Sequence, residues 1–155
     1  MKWDFSLVKG QGSLKEIEVA LHQHVNDRIA EFVGQYAAAL TAVTLNPTDA
    51  VSSLERVCAA VQLSHQRIYL LIDDYDNDVL MAGRRQEFYE GLLYGEGELK
   101  RIFKAVKGRT GRGIDRVFIT GVSPIVLSDM TSGYNVGEDI YLKAAFNDLC
   151  GFTET

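Results

Sequence analysis

Residues Arg67 to Asp78 read R-I-Y-L-L-I-D-D-Y-D-N-D, five unbroken apolar positions followed by four carboxylates within six. A short apolar run without alternation predicts a central strand of a parallel sheet, buried on both faces. Open α/β sheets place their chemistry beyond the carboxyl ends of their strands, which is where these acids emerge. Asp73 and Asp74 would point to opposite sides, with Asp76 and Asp78 following on the loop. A carboxylate at such an edge suits Mg²⁺, which takes hard oxygen ligands and keeps several waters. The plainer alternative is that the acids solvate a strand end and cap the next helix.

Other residue types offer less. His22 and His24 lie two apart on an expected helix, so they do not share a face, and a histidine metal site is not indicated. Cys58 and Cys150 form no C-x-x-C pair and read as core thiols of a reducing, cytoplasmic compartment. Lys107 to Arg112, K-G-R-T-G-R, is glycine-rich and basic. A phosphate-cradling loop needs G-x-x-x-x-G-K-[ST] after a strand, whereas Gly113 leads into Ile114 and Asp115, so a connector is expected. Arg116 to Gly121 predicts a second buried strand, ending in the hydroxyl of Thr120.

The elements that must position these groups are legible in outline. Trp3 to Leu7 reads as a strand and Gly10-Gln11-Gly12 as a turn, since Lys15 occupies the third position of a dinucleotide fingerprint. Ser13 and Glu16 form a capping box ahead of a long amphipathic helix marked by Leu14, Ile17, Leu21, Val25, Ile29, Phe32 and Tyr36. Asn46 as cap and Pro47 at the first helical position start a second helix, with Val51, Leu54, Cys58 and Val61 on its inner face. Helices are further expected over 84–94, around Leu99, Ile102, Phe103 and Val106, and around Leu142, Ala145, Phe146 and Leu149. The alternation of strands and helices over 155 residues implies one α/β domain with a parallel sheet. A net charge of -5 gives no indication of nucleic-acid binding. No apolar run approaches the roughly 20 residues that cross a bilayer, and no signal peptide is expected.

Three chemistries compete for the acids. A calcium loop on Asp74, Asp76 and Asp78 fails, because glycine and a glutamate are needed where Val79 and Arg85 stand. A haloacid-dehalogenase-like phosphatase would use Asp74 as nucleophile, Asp76 as acid/base and Thr120 on phosphate, but Asp78 departs from that pattern. In a P-loop ATPase core, the acid ending an apolar strand holds Mg²⁺, the next acid handles the attacking water, and a polar residue on the neighbouring strand senses the γ-phosphate. Asp73, Asp74 and Thr120 fit those roles in that order.

Beyond these, L-L-I-D-D-Y-D-N at 70–77, R-V-F-I-T-G-V-S-P-I at 116–125, T-S-G-Y-N at 131–135 and F-N-D-L-C-G-F-T-E at 146–154 occur in one chain. Together with W-D-F-S at 3–6, they resemble the AAA-ATPase-like family of bacterial proteins. The resemblance implies a partial, three-layer P-loop NTPase core with Mg²⁺ and ATP as cofactors, Asp73 on the metal, and Asp74 and Thr120 as catalytic residues. It also implies an association with a nuclease-like domain or partner chain. The family has glutamate where this chain has Asp74, and its Walker A strand precedes W-D-F-S, so that strand is expected to be missing here. Strands at about 3–7, 67–73 and 116–121 should then form a short parallel sheet flanked by helices, with 67–73 in the middle. The 116–121 strand would be an open apolar edge, and a homo-oligomer through that edge is the expected partner arrangement. A degenerate ATPase-like domain serving as a protein-interaction module is the non-enzymatic alternative.

Overall fold

The structure, a computed structural model, describes residues 1–9, 12–40, 43–75, 92, 97–121, 138, 140 and 143–146. Among these residues the elements run β1 (Lys2–Asp4), α1 (Leu14–Gln35), α2 (Ala50–Leu63), β2 (Ile68–Asp73), α3 (Glu98–Arg109) and β3 (Ile114–Ile119). Single turns of 3-10 helix lie at Phe5–Leu7 and Ala144–Phe146. The three strands are parallel in the order β1-β2-β3, with the acid-bearing strand in the middle as expected. The fold is α/β, a short parallel sheet flanked by helices.

Local chemistry sets the boundaries. Ser13 Oγ accepts from Glu16 N–H while the Glu16 carboxylate accepts from Ser13 N–H at 2.7 Å, the expected capping box at the start of α1. β1 is shorter than the expected 3–7. Asp4 accepts from Ser6 N–H at 3.2 Å and from its hydroxyl at 2.5 Å, and this capping folds Phe5–Leu7 into a turn. The second helix begins later than expected, at Ala50. Asp49 caps it through Val51 N–H, while Asn46 instead caps the turn before it through Thr48 N–H. Pro47 therefore precedes the helix. β3 runs from Ile114 rather than Arg116, because the turn ahead of it is tight. Gly111 and Gly113 have φ of 77° and 106°, and a Cβ on Gly113 would lie 2.7 Å from the carbonyl oxygen of Cys58. Of the K-G-R-T-G-R stretch, expected as a connector, Lys107–Arg109 form the last turn of α3 and only Thr110–Arg112 lead on toward β3.

One apolar cluster unites the molecule. Ile17, Leu21, Val25 and Ile29 of α1, Leu54, Val57, Cys58 and Val61 of α2, and Leu99, Ile102, Phe103 and Val106 of α3 are buried with Trp3, Ile68, Leu70, Ile72 and Ile114 of the sheet. β2 departs from the expected burial on both faces. Ile68, Leu70 and Ile72 are buried, whereas Tyr69 and Leu71 are 60% and 44% exposed. Its run is uniformly apolar, but its environment alternates with the pleat. The expected helices over 84–94 and 142–149 fall almost wholly outside the described residues. Within them, Leu92 is helical and buried, and residues 144–146 make only a 3-10 turn.

A polar knot fixes the helix starts against one another. Ala50 N–H donates to His22 Nδ1 at 3.0 Å, so that nitrogen carries no proton and Nε2 donates to Glu98 at 3.0 Å. Arg101 then joins Glu98 at 2.9 Å to Asp49 at 3.0 Å. His22 is structural here, holding α1 to the first turns of α2 and α3.

Candidate functional site at the carboxyl edge of the sheet

The register brings the polar strand ends into one row. Lys2 lies opposite Leu71 and Leu71 opposite Phe118, while Asp4 lies opposite Asp73. Side chains two apart share a face, so Lys2, Asp4, Asp73, Leu71 and Phe118 all belong to the face away from the core. Thr120 follows β3 directly and extends the row, its N–H donating to Ile72 O at 2.8 Å.

Asp73 and Thr120, two of the three residues singled out from sequence, are brought together. The Thr120 hydroxyl donates to Asp73 Oδ1. The other carboxylate oxygen, Oδ2, contacts the Lys2 ammonium at 2.8 Å. Those bonds from Lys2 and Thr120 hold the Asp73 carboxyl below the usual carboxylate range, and the Lys2 amine is raised in return. Lys2 also lies 3.5 Å from Asp4 Oδ2. Asp4 is itself held low, chiefly by the Ser6 hydroxyl.

Asp74, the third, takes a left-handed conformation with φ of 50°. Non-glycine residues adopt this region rarely, and aspartate more readily than most. The turn returns Tyr75 N–H to Thr120 O at 3.5 Å and buries the Tyr75 ring. The chain thus closes over the end of β2 immediately after the acids. Asp76 and Asp78 lie outside the described residues.

The donors at this edge fit the protein's share of a Mg²⁺ site. Asp73 and Thr120 present hard oxygens, and Mg²⁺ commonly takes one or two carboxylates and completes its shell with water and phosphate. Among the described residues no group of three or more His, Cys, Asp and Glu could hold a metal unaided. Any ion here would be shared with a ligand, and it would compete with Lys2 for Asp73 Oδ2.

Lys2 and Asp4 were not foreseen. The signal was available: a charged residue two positions before Asp4 shares its face in any strand. It became decisive only with the register that sets Asp4 against Asp73. Arg109, at the end of α3, pairs with Glu55 at 3.0 Å. Cys58 is buried as a free thiol, and burial pushes it up to about 11. No described helix is long and apolar enough to cross a membrane.

Comparison with known proteins gives the ancestry. No solved structure matches the chain. A curated protein of Azotobacter chroococcum mcd 1, described as "Uncharacterized protein in vnfD 5'region", is 28% identical over 90 residues. The match covers 58% of this chain and 17% of that relative, so the chain spans a small part of its length. A family model described as "Predicted AAA-ATPase" matches residues 1–131, and the chain belongs to this AAA-ATPase-like family.

Proposed function

We propose that the carboxyl edge of the sheet is the Walker B and sensor half of a Mg-ATP site. Asp73 faces the metal, Asp74 faces the attacking water, and Thr120 links the metal's carboxylate to the γ-phosphate position. The observation that carries the reading is the Thr120 hydroxyl on Asp73 Oδ1, at adjacent strand ends in a chain of this family. A carboxylate with one oxygen fixed by a hydroxyl presents the other in a defined direction. That is the pre-organisation a cation ligand needs. When bound, Mg²⁺ would neutralise charge on the transferring phosphoryl group.

Asp74 takes a left-handed backbone conformation directly after the strand. Its carboxylate is one methylene shorter than the glutamate usual in the family, which shortens its reach toward a water. Residues 1–155 contain no G-x-x-x-x-G-K-[ST] stretch to supply the phosphate grip of backbone amides and a lysine at a helix start. On this reading the segment alone does not turn over ATP. The phosphatase alternative depends on Asp76, outside the described residues, and family membership favours the ATPase reading over it.

Calorimetric titration with ATP and Mg²⁺ tests the proposal, run beside Asp73→Ala. Binding that is lost in the variant supports a working half-site. Binding indifferent to Asp73 sinks it.

An interaction role is the second reading, favoured by Tyr69, Leu71 and Phe118 standing exposed on the outer face. The proposed partner is a second copy of this chain meeting the β3 edge. Sedimentation of wild type against Phe118→Asp decides it. A concentration-dependent dimer lost in the variant supports the reading, and a monomer at every concentration refutes it.

A further inference from the structure

Asp4 and Asp73 stand directly opposite each other on neighbouring strands, an arrangement in which like charges repel. Each has one oxygen tied down, Asp4 Oδ1 by Ser6 and Asp73 Oδ1 by Thr120. Each turns its other oxygen to a single ammonium, that of Lys2, at 3.5 Å and 2.8 Å. The lysine relieves the repulsion, and it does so from the oxygen that a metal at Asp73 would need. Lysine is a compact point charge on a flexible stem, and here the side chain is 53% exposed, so it is free to move.

We infer that Lys2 sets how readily Asp73 accepts a divalent cation, by keeping its own ammonium on the oxygen the ion would take. Cation binding at this edge is then an exchange rather than an addition. The incoming ion displaces the ammonium from Asp73, and Asp4, already within reach of Lys2, receives it. Lys2 acts through Asp73 as a positioning residue. The inference rests on the reading of Asp73 as the cation ligand.

The test uses the whole chain and Mn²⁺ alone, without nucleotide, with free ion counted by electron paramagnetic resonance. Lys2→Met should tighten Mn²⁺ binding about fivefold, the scale of one unit charge removed at about 4 Å in a water-like medium, as suits a side chain this exposed. Lys2→Arg, which retains the charge, should bind as wild type does. The gain should vanish in the double variant Lys2→Met, Asp73→Asn. Both side chains are partly exposed, and matched thermal melts establish that the variants are folded, with Lys2→Gln as a second neutral variant.

Unchanged affinity in Lys2→Met and Lys2→Gln overturns the inference, as does a gain that survives loss of Asp73. The two ideas fail separately. If Asp73→Asn alone weakens Mn²⁺ binding while the Lys2 variants are silent, Asp73 remains a cation ligand and Lys2 has no such role. If Mn²⁺ is indifferent to Asp73 with and without Lys2, both fall.

Discussion

Leu70 and Leu71 are identical neighbours on the same strand, yet one is wholly buried and the other 44% exposed. The pleat sends them to opposite faces of the sheet. Toward α1, α2 and α3, the row Trp3, Ile72 and Ile119 and the pair Leu70 and Val117 pack into the common core. Away from those helices lie Lys2, Asp4, Asp73, Tyr69, Leu71 and Phe118. The inner face holds the fold together, while the outer face carries Lys2, Asp4 and Asp73 of the candidate site and the exposed Tyr69, Leu71 and Phe118.

The sharpest way to break that contrast is to truncate the two leucines separately. Leu70→Ala should cost about 2–5 kcal/mol, as buried leucines do, through lost transfer energy and the cavity left behind. Leu71→Ala should cost less than about 1 kcal/mol, because water already reaches the side chain. Urea denaturation measures both. Equal losses would mean that the outer face is covered in solution, and the division drawn here would fail.

A polar group on the core side should behave like the core. His22→Ala strips an acceptor from Ala50 N–H and a donor from Glu98, and it should destabilise by about 1–3 kcal/mol. Tyr69→Ser, on the outer face, should stay within about 0.5 kcal/mol of wild type. Chemical denaturation of the pair sharpens the comparison from hydrophobic to polar side chains. Cys58 extends it to reactivity. With its thiol pushed up to about 11 and packed against Gly113, it should resist a thiol reagent at pH 8 until the chain unfolds. Measured in a Cys150→Ser background, rapid labelling of the native protein would contradict that burial.

Much of this was written locally and could be read locally. Ser13 and Glu16 act on each other three residues apart, so the start of α1 is visible in four letters. The parallel order around Ile68–Asp73 followed from strand–helix alternation and the family resemblance. What escaped depends on contacts distant in sequence. Five apolar letters cannot say that one face of β2 lacks a covering layer among the described residues. Nor can they show that Gly113 is pressed against Cys58, which is what starts β3 two residues early. Asn46 and Asp49 are both good caps, and Asn46 is drawn away by Ser53 and Asn26, which bond its backbone. Lys2 is the clearest case: nothing beside it in sequence points to Asp73, 71 positions on. Only the register of two parallel strands brings them together.

The smallest predicted effect lies on the outer face and depends on pH. Asp4 is held below its ordinary value, first by the Ser6 hydroxyl and then by Ser6 N–H and Lys2. A carboxyl depressed in the folded state releases its proton more easily there than in the unfolded chain. Its contribution to stability is therefore complete above the unfolded-state value and disappears as pH falls through the lower, folded-state value. Asp73 has the same sign, with Lys2 and Thr120 as its causes. Thermal melts from pH 7 down to pH 3 should show wild type losing more stability than Asp4→Asn, whose amide does not titrate. The difference should be small, because the carboxylate remains in contact with solvent, and salt should shrink the part that comes from Lys2. The same titration of Leu71→Ala should run parallel to wild type, since that change touches the same face without touching a charge. A parallel curve for Asp4→Asn instead would mean that Asp4 is no better placed than a free aspartate, and that Ser6 and Lys2 do not hold it.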